Sequence, residues 1–375
     1  MSWDKMKLGN ITKNLDSKRK PLNGPEREKM STKKLYPYIG ANNIMGYVDE
    51  YLFDEEILCI AEDGGSWGEG QTCCVYYKEK CWVNNHAHVL ATNGKANLKF
   101  VHYYLNKVNL NQYITGSTRG KLTKTALESI EIPLPSLPIQ KKIADILDKA
   151  DALRKKDKQL LQKYDELAQA IFVDMFGDPV KNEKGWELKK LGDICEINSG
   201  GTPTRKRTDY FEGNIPWVKT TEVKGILLTD TEEKISVEAL SNSSCKMNPV
   251  NSIIIAMYGQ GKTRGNVGLL GIEAATNQAC GVLKPNLKYN SLFIFFTLKM
   301  MYEELRKLGR GGNQENLNLN ILKNFEIFFP SKMMQEVFAK KVNLFNKIET
   351  MFPNEYSESL FQSLLQQVFK GEFIK

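Results

Sequence analysis

The sequence predicts an α/β (α+β) fold in which two tandem globular domains are each followed by a long helix. Three observations support this class: a heptad pattern over residues 139–176, an internal repeat through nearly all of the 375 residues, and short alternating apolar segments between Gly, Asn and Pro residues in each copy. We expect the two helices to pair antiparallel as a coiled-coil spacer, with the copies related by a pseudo-two-fold axis.

The first long helix is predicted over residues 139–176. Apolar residues recur there at intervals of three and four, charged residues cover the other faces, and the next helix breaker is Gly177. At 1.5 Å per residue such a helix reaches roughly 55 Å, and it needs a partner because its apolar seam is otherwise exposed. The alternative is a long core helix of one ordinary domain. The predicted seam, or subunit interface, consists of Ile143, Ile146, Ala150, Leu153, Asp157, Leu160, Tyr164, Leu167 and Ile171.

The chain consists of two copies of one unit. WDKMKLGNI at residues 3–11 returns as WELKKLGDI at 186–194, and LESIEIPLP at 127–135 returns as LKNFEIFFP at 322–330. Intervening matches occur in the same order, and a long helical pattern follows the last proline of each copy. The predicted boundaries are a first globular domain at 1–135, a central spacer helix at 139–176, a second globular domain at 184–330 and a C-terminal spacer helix at 332–371.

The C-terminal helix is the predicted partner of the first. Pro353 is expected to kink or break it, because proline lacks a backbone donor and disfavours helix in the residue before it. The charge of Asp157 on the first seam indicates either a flaw in the pairing or a contact with another subunit. On the C-terminal helix the predicted interface residues are Phe345, Phe352, Leu360 and Leu364.

Composition narrows the class of protein and of partner. The formal net charge of +8 favours a polyanionic partner, with nucleic acid ahead of an acidic small molecule. The apolar runs are too short to span a bilayer, and the N-terminus has no secretory signal. Seven cysteines without a regular framework are typical of free thiols in a reducing cytosol, so we expect a cytoplasmic protein.

Basic loops recur at corresponding positions along the sequences of the two copies. One pair consists of the clusters at 18–20 and 205–207, and a second of the Gly-rich loops at 116–121 and 310–314, whose backbone amides suit phosphate oxygens. A solvated face is the alternative for charge runs of this kind. The predicted nucleic-acid contacts in these loops are Lys18, Arg19, Lys20, Arg119, Lys121, Arg205, Lys206, Arg207, Arg310, Asn313 and Gln314.

A third loop follows an apolar strand of the second copy. AMYGQGKT at 256–263 nearly matches a nucleotide phosphate-binding loop, but its first Gly is missing, and we expect a turn into another strand after it rather than the helix that a nucleotide site needs. We interpret it as a basic DNA-contacting loop, against the alternative of a solvated hairpin without a ligand. The expected contacts are Lys262, Thr263 and Arg264 near phosphates and Gln260 near a base edge.

The matching segment of the first copy, EDGGSWGE at 62–69, is acidic. Contact with DNA is expected there through Ser66, Trp67 or backbone amides, while Asp63 or Glu69 either accepts from a cytosine amino group or faces away. This asymmetry predicts that the two copies recognise different half-sequences.

No metal or catalytic site is predicted. Three cysteines and two histidines lie within residues 73–88, but their spacing matches no common zinc site, and the second copy has Gln278 and Cys280 at the histidine positions. The sequence contains neither the Asn-Pro-Pro-aromatic motif of adenine methylases nor a Gly-rich nucleotide fingerprint. A faint nuclease-like signature, from Asp178 to Lys189, lies in the linker between the copies.

Together these residues resemble the specificity subunits of type I restriction-modification systems. The resemblance rests on IPLPSLPIQKKIADILDKADAL at 132–153, FVDMFGDP at 172–179, MYGQGKTRG at 257–265 and FKGE at 369–372, and with the duplication it spans essentially the whole chain. In that family two target-recognition domains each read half of an interrupted DNA sequence, and the paired helices dock modification subunits. Pro353 departs from the pattern, so the two docking faces need not be equivalent.

The resemblance implies a non-catalytic DNA-binding subunit of a prokaryotic, cytoplasmic complex. Its implied partners are double-stranded DNA, two methyltransferase subunits and restriction endonuclease or translocase subunits. No cofactor is expected on this chain, whereas the partners are expected to use S-adenosylmethionine and, for restriction, ATP and Mg²⁺. The alternatives are the recognition subunit of a related system with a fused methylase and nuclease, and a coiled-coil adaptor that binds no nucleic acid. Salt-dependent binding to duplex DNA would separate the adaptor from the other two.

Overall fold

The computed structural model describes residues 3–41, 43–116, 118–259, 261–309, 316–351 and 354–370, and it describes their side chains except at 344–351 and 354–355. The chain divides into two compact units, Met1–Gln159 with Pro353–Lys375, and Leu160–Phe352. Each unit holds one copy of the repeat and part of each long helical region. Within the described ranges, no helix combines the length and the apolar character needed to cross a membrane.

The first copy contains eleven short strands and four short helices among its described residues. The strands are β1 Lys5–Lys7, β2 Thr12–Asn14, β3 Tyr36–Ile39, β4 Ile44–Val48, β5 Ile57–Ala61, β6 Cys74–Tyr77, β7 Trp82–Val83, β8 Ala87–Thr92, β9 Ile114–Thr115, β10 Lys121–Leu122 and β11 Glu131–Pro133. The helices are α1 Leu8–Ile11, α2 Gly24–Lys29, α3 Leu98–Lys107 and α4 Lys124–Ser129, and the long helix α5 Leu137–Phe176 follows.

The second copy has the same kind of composition. Its strands are β12 Leu188–Lys190, β13 Ile197–Ser199, β14 Ile215–Val218, β15 Leu227–Leu228, β16 Lys234–Ile235, β17 Ile253–Ala256, β18 Val267–Leu270, β19 Ala275–Thr276, β20 Cys280–Leu283 and β21 Glu326–Phe328. Its helices are α6 Leu191–Ile194, α7 Val237–Ser241, α8 Ser291–Met300, α9 Tyr302–Lys307 and α10 Leu319–Asn324, followed by α11 Lys332–Met351 and α12 Asn354–Phe369. The predicted mixture of strands and helices is confirmed.

The core of the first copy lies on a four-stranded antiparallel sheet in the order β2-β8-β5-β6. Strand β5 is buried along its whole length, which explains why its apolar residues run without alternation. A smaller sheet, β4-β3-β7, contains the parallel pair β3 and β7. The helix α3 covers the larger sheet, and Leu58, Leu90 and Phe100 belong to the resulting core.

The second copy repeats this plan with a five-stranded sheet, β13-β20-β17-β18-β15. Its β17 is again fully buried, and β15 pairs parallel with β18. The small sheet is β16-β14-β19, in which β14 and β19 form the parallel pair that corresponds to β3 and β7. Helix α8, which is buried on most sides, packs on strand β18 of the five-stranded sheet, and its Phe293 and Leu298 belong to the core.

Two small features show the repeat in three dimensions. An antiparallel ribbon joins the ends of each globular part, β1 with β11 and β12 with β21. A buried glutamine then follows near the start of each long helix. Gln140 accepts from the backbone N–H of Asn97 at 2.8 Å, Gln335 accepts from that of Asn290 at 2.9 Å, and each donates to a preceding proline carbonyl. The predicted duplication is therefore confirmed.

Hydrogen bonds correct the alignment of the two copies by one residue before β8 and β20. The N–H of Asn84 bonds to β3 and the N–H of Asn277 bonds to β14, each at 3.0 Å, so these asparagines are equivalent. His86 consequently corresponds to Ala279 and not to Gln278. The second copy still lacks the histidines of the first, but at positions shifted by one from the sequence match.

The buried face of α5 differs from the predicted seam at every second position. Leu153, Leu160 and Leu167 are 45%, 44% and 42% exposed, and in each case the next residue is the more buried one. The predictions for these three leucines as seam residues are therefore wrong. The observed stripe of buried and half-buried residues is Ile143, Leu147, Ala150, Arg154, Asp157, Leu161, Tyr164, Ala168, Ile171 and Phe172, with Ile146 half-buried beside it.

Arg154 is the reason why the seam is shifted. Its Nη1 atom lies 3.2 Å from Glu358 of α12, and its guanidinium carbon lies 4.3 Å from the centre of the Phe361 ring. Lys158 also reaches Glu358, at 3.6 Å. Within this unit Arg154 contacts both Glu358 and Phe361, whereas Lys158, one turn further along α5, contacts only Glu358 among these two. Residues later in α5 therefore face residues earlier in α12, so the two helices are antiparallel. A charged residue turns inward here because its partners stand on the facing helix.

The second unit pairs the C-terminal part of α5 with α11. The rings of Phe172 and Phe176 pack on Phe338, with centroids 5.4 and 5.8 Å apart. Helix α11 ends at Met351 and α12 begins at Asn354. The predicted break at Pro353 and the interface residues Phe352 and Phe345 (its side chain) lie outside the description. Of the other two predicted residues, Leu360 is exposed and Leu364 is half-buried against the core.

Candidate nucleic-acid interface

Arg19 is a structural residue of the first domain. Its Nη1 atom donates to Glu62 at 2.6 Å and to the Ala87 carbonyl at 2.7 Å, and Nη2 lies 3.5 Å from Asp16. The side chain is only 14% exposed. These contacts use the guanidinium inside the domain, so the prediction of a DNA contact is corrected for Arg19.

His88 is the buried centre of the same network. Its Nδ1 atom lies 2.6 Å from Asp16 Oδ2, and its Nε2 atom lies 2.8 Å from the Leu122 carbonyl, so both ring nitrogens face acceptors. Burial disfavours the charged imidazole, but the bonds to Asp16 and Leu122 and the nearby Glu62 outweigh it, and the pKa of His88 is raised. Burial likewise opposes ionisation of Asp16, yet the bonds from His88, the Val89 N–H and Asn14 together outweigh it, and the pKa of Asp16 is lowered.

Trp67 belongs to the core, and its prediction as a DNA contact is wrong. The ring is 5% exposed and its indole N–H donates to the Ala61 carbonyl at 3.3 Å. A Cβ atom on Gly65 or Gly120 would lie 3.0 or 2.9 Å from this ring, which shows how closely it supports the two loops above it. The neighbouring Ser66 is exposed, as the interpretation of this loop requires.

The remaining predicted residues of the first domain are exposed but paired. Lys18 lies 3.1 Å from Glu55, Lys121 lies 3.2 Å from Glu62, and Arg119 lies 2.6 Å from Asp63. Lys20 is exposed and stands 6.0 Å from the centre of the Trp82 ring. The lysine pairs at this surface are weak, so Lys18 and Lys121 can exchange them for phosphate contacts at little cost.

The basic cluster of the second domain is also paired. Arg205 stacks over Phe211 with its guanidinium carbon 4.0 Å from the ring centre, and Nη1 lies 2.7 Å from Glu233. Arg207 contacts Asp209 at 2.6 Å and Glu238 at 3.2 Å. Lys206 is exposed between them. The arginines are therefore held in defined orientations, which a freely solvated charge run would not require.

The loop after β17 turns directly into strand β18, as predicted, and no helix follows it. Gly259, Gly261 and Gly265 all have positive φ, and the backbone carbonyl of Lys262 accepts from Tyr302 at 2.7 Å. The Lys262 side chain is exposed, whereas Thr263 and Arg264 are half-buried. This geometry lacks the helix N-terminus on which a nucleotide phosphate site depends. Four further predicted contacts, Gln260, Arg310, Asn313 and Gln314, lie outside the described residues.

The cysteines and histidines of residues 73–88 make contacts within the first domain. Cys73 Sγ lies 3.5 Å from the Leu105 carbonyl, and the two histidines face Asp63 and Asp16. Within the described ranges no group of three or more His, Cys, Asp or Glu side chains could hold a metal ion. All seven cysteines are buried and free.

Sequence reasoning missed the pair of side chains that supports Arg119. Asp63 accepts from Arg119, and both of its oxygens lie 3.0 Å from Nδ1 of His86. The sequence predicts that Asp63 either accepts from a cytosine or faces away from DNA, and it does not predict that His86 supports Asp63. One signal was available in the sequence. Asp63 follows β5 and His86 precedes β8, and the corresponding positions next to β17 and β20 in the second copy hold neither an aspartate nor a histidine.

Comparison with known proteins identifies the family. The family model described as the type I restriction modification DNA specificity domain matches residues 1–163 and 183–355. The type I restriction enzyme MjaIX specificity subunit of Methanocaldococcus jannaschii is 27% identical over 274 residues, which cover 67% of this chain and 63% of that protein. The HindI specificity subunit of Haemophilus influenzae is 28% identical over 195 residues, or 50% of this chain and 42% of that protein.

The alignments thus span less than two thirds of either relative. The fold is similar to a crystal structure of a type I restriction-modification system S subunit from M. genitalium, with a TM-score of 0.66 and 16% sequence identity over 98% of this chain and 96% of that one. The family model matches the chain twice, once in each copy of the repeat. This chain therefore belongs to the type I restriction-modification DNA specificity family.

Proposed function

We propose that this chain is the non-catalytic specificity subunit of a type I restriction-modification complex and recognises a bipartite, interrupted DNA sequence. The observation that carries the proposal is the double match to the specificity-domain family, one match for each copy of the repeat. Each copy would read one half-site, and the two half-sites would differ because the loops after β5 and β17 differ in sequence and charge.

The surface chemistry of each domain supports DNA as the ligand. The formal net charge of +8 favours a polyanion, and exposed basic residues stand on loops of both copies, among them Lys20, Lys206 and Lys262. Arginines on these loops are oriented by neighbouring carboxylates. Oriented guanidinium groups suit base edges, and exposed lysines suit phosphates, so each domain has groups for both tasks.

The helices would supply the spacer and the docking sites for the partner subunits. A helix of 40 residues, the length of α5, spans roughly 60 Å, against the 34 to 36 Å between half-sites one helical turn apart. The outward leucines of α5 offer an apolar surface to two methyltransferase subunits, one for each copy, and endonuclease or translocase subunits would join for restriction. In this assignment S-adenosylmethionine, ATP and Mg²⁺ are bound by those partners and not by this chain.

The proposal is tested by mapping methylated bases in DNA from cells that carry this chain with its methyltransferase subunits. We expect one motif made of two unlike halves separated by a gap of fixed length, and we expect it to disappear when this chain is deleted. A single uninterrupted motif, or a motif that persists without this chain, would contradict the assignment. Absence of salt-dependent duplex binding by the assembled complex would instead favour a structural adaptor.

A further inference from the structure

Hydrogen bonds join two loops of the first domain into one surface. The loop after β5 pairs with the hairpin of β9 and β10: Asp63 and Lys121 form an antiparallel bridge, and the N–H of Gly64 donates to the Gly120 carbonyl at 3.1 Å. Trp67 packs beneath both loops from the core side. We call this surface, formed by residues 63–64 and 120–121, the platform.

Arg119 lies on this platform with one edge of its guanidinium group in use. Nη2 donates to Asp63 at 2.6 Å, and a Cβ atom on Gly64 would stand only 3.0 Å from both Nε and Nη2. Gly64 has a φ of +62°, so a glycine fits both the backbone conformation and this close approach. The guanidinium edge that includes Nη1 remains for a ligand, and the side chain is 64% exposed.

Asp63 is itself held in place from below. Its side chain is only 20% exposed, and both oxygens face Nδ1 of His86 at 3.0 Å. Because an ionised carboxylate only accepts, Nδ1 is the nitrogen that carries the proton. The backbone of His86 is fixed in turn by a bond from its N–H to the Asn84 side chain at 2.8 Å. The chain of contacts runs from the buried Asn84 through His86 and Asp63 to the exposed Arg119.

A guanidinium held in this way is better suited to a base than to a phosphate. The adjacent carboxylate offsets the charge of Arg119, and that weakens attraction to the DNA backbone. The same carboxylate fixes the plane of the group, which a bidentate contact with a base edge requires. Guanine presents two acceptors, O6 and N7, in the major groove, and arginine is their most common partner.

We propose that Arg119 reads a guanine in the half-site of the first domain, with Asp63 and His86 as positioning residues. This assignment rests on the proposed function and adds the base and the residue that reads it. The second domain does not repeat the device, because Tyr258 and Ala279 occupy the places of Asp63 and His86. A guanine contact of this kind is therefore expected in the half-site of the first domain only.

The test uses the assembled complex of this chain with its methyltransferase subunits and DNA that carries its mapped motif. Each guanine of the motif is replaced in turn by 7-deazaguanine, which lacks the N7 acceptor. For the wild-type complex we expect binding to weaken about tenfold or more at the guanine that Arg119 reads. Arg119→Ala should bind unmodified DNA about tenfold or more weakly and should be insensitive to 7-deazaguanine at that position alone.

Two variants and one control separate a base contact from other roles. Asp63→Asn keeps an acceptor for Arg119 but loses the charge, so it should relax discrimination at the same base pair and leave the other positions unchanged. Arg119→Lys should restore only part of the discrimination, since a flexible ammonium lacks the planar fork that Asp63 orients. Lys5→Ala is the control, because Lys5 is equally exposed at 64% and also faces a carboxylate; it should change nothing.

The outcomes are distinct. A uniform loss over all sequences, with the slope of log K against log salt reduced by about one, would overturn the guanine assignment in favour of a phosphate contact. Unchanged binding in Arg119→Ala would also overturn it. If the wild-type complex shows no sequence-selective binding at all, the proposed function fails as well, and that result is visible without any variant.

Discussion

His88 makes the stability of the first domain depend on pH. Its imidazole faces Asp16 and the Leu122 carbonyl, and Glu62, which also binds Arg19 and Lys121, lies 3.7 Å away. Because the folded pKa of His88 is raised, its contribution is complete below the ordinary value near 6.5 and is lost as pH rises through the folded value. The lowered pKa of Asp16 has the opposite sign, so that contribution is lost only in acid.

We therefore expect the wild-type chain to unfold at a lower temperature at pH 9 than at pH 6, and His88→Gln to remove most of this difference. The variant should be destabilised more at pH 6, where the wild-type imidazole is charged and paired. Thermal unfolding of both proteins at the two pH values measures the effect. An equal loss of stability at both pH values would show that the charge of His88 contributes nothing.

Lys262 and Arg264, two residues apart in the same loop, should have different roles. Lys262 is exposed, whereas Arg264 is half-buried. Lys262→Ala should lower the salt slope of DNA binding by about one unit and leave unfolding unchanged. Arg264→Ala should also lower the unfolding temperature, because its side chain packs in the domain. Salt titrations with matched thermal melts distinguish the two, and an unchanged slope in Lys262→Ala would remove this side chain from the interface.

At the residue scale, the sequence predicted where charged and Gly-rich loops stand but not which side chains are available. Arg19 and Trp67 lie in loops of the expected kind, yet their own domain uses both side chains. Charge and spacing along the chain carry no information about the buried acceptors of Arg19, which come from residues 62 and 87. The same limit hid the support of Arg119 by Asp63.

The shifted seam of α5 leads to an element-scale prediction with its own control. Leu160 is exposed and Leu161, the next residue, turns inward. Leu161→Glu should lower the free energy of unfolding by roughly 1–3 kcal/mol, because a charge would replace a half-buried apolar side chain. Leu160→Glu should leave unfolding within about 0.5 kcal/mol of wild type but reduce binding of a methyltransferase subunit.

Denaturant unfolding and co-purification of the partner measure the two effects separately. Leu167→Glu provides an independent second variant on the same outward stripe, where the same loss of partner without loss of stability is expected. Retained assembly in both outward variants would contradict α5 as the docking surface, whereas unfolding of Leu160→Glu would restore the seam predicted from sequence.

The buried glutamines near the starts of α5 and α11 should stabilise both copies. Gln140 is 1% exposed and Gln335 is fully buried, and each bonds to one backbone N–H and one proline carbonyl; Gln140 also donates to the Lys95 carbonyl at 3.3 Å. Replacement by alanine leaves these groups without partners, so each variant should lose about 1–3 kcal/mol of unfolding free energy. Denaturant melts of Gln140→Ala and Gln335→Ala test this, and a loss in only one copy would contradict the equivalence of the two junctions.

At the element scale, the existence of the long helix was predictable because its apolar residues repeat over more than four heptads. The phase of the seam was not, since apolar residues stand side by side at 146–147 and 160–161. The choice between Leu153 and Arg154 was decided by Glu358 and Phe361, which are two hundred residues away along the chain. A rule that prefers the leucine fails where the facing helix supplies a partner for the arginine.

At the scale of the whole molecule, the internal repeat was the strongest signal in the sequence. Weak matches in a constant order predicted two domains, and the family comparison and the paired sheets confirm this. The one-residue error at Asn277 arose because short motifs align on identities, while strand hydrogen bonds align on geometry. The target DNA sequence depends on which exposed side chains face a base. In the first domain this is set by the loop after β5 and the β9–β10 hairpin together, and by the side chains that support them.

The burial of all seven cysteines has a practical consequence. Burial raises the pKa of Cys73, Cys81 and Cys195 to about 12, and thiolates rather than thiols react with alkylating reagents and oxidants. The folded chain should thus be nearly silent toward maleimides and peroxide without any cysteine being removed. A single new cysteine at the exposed Ser66 would then be the one labelled site, and under the proposed function we expect a fluorophore attached there to change its emission when DNA binds.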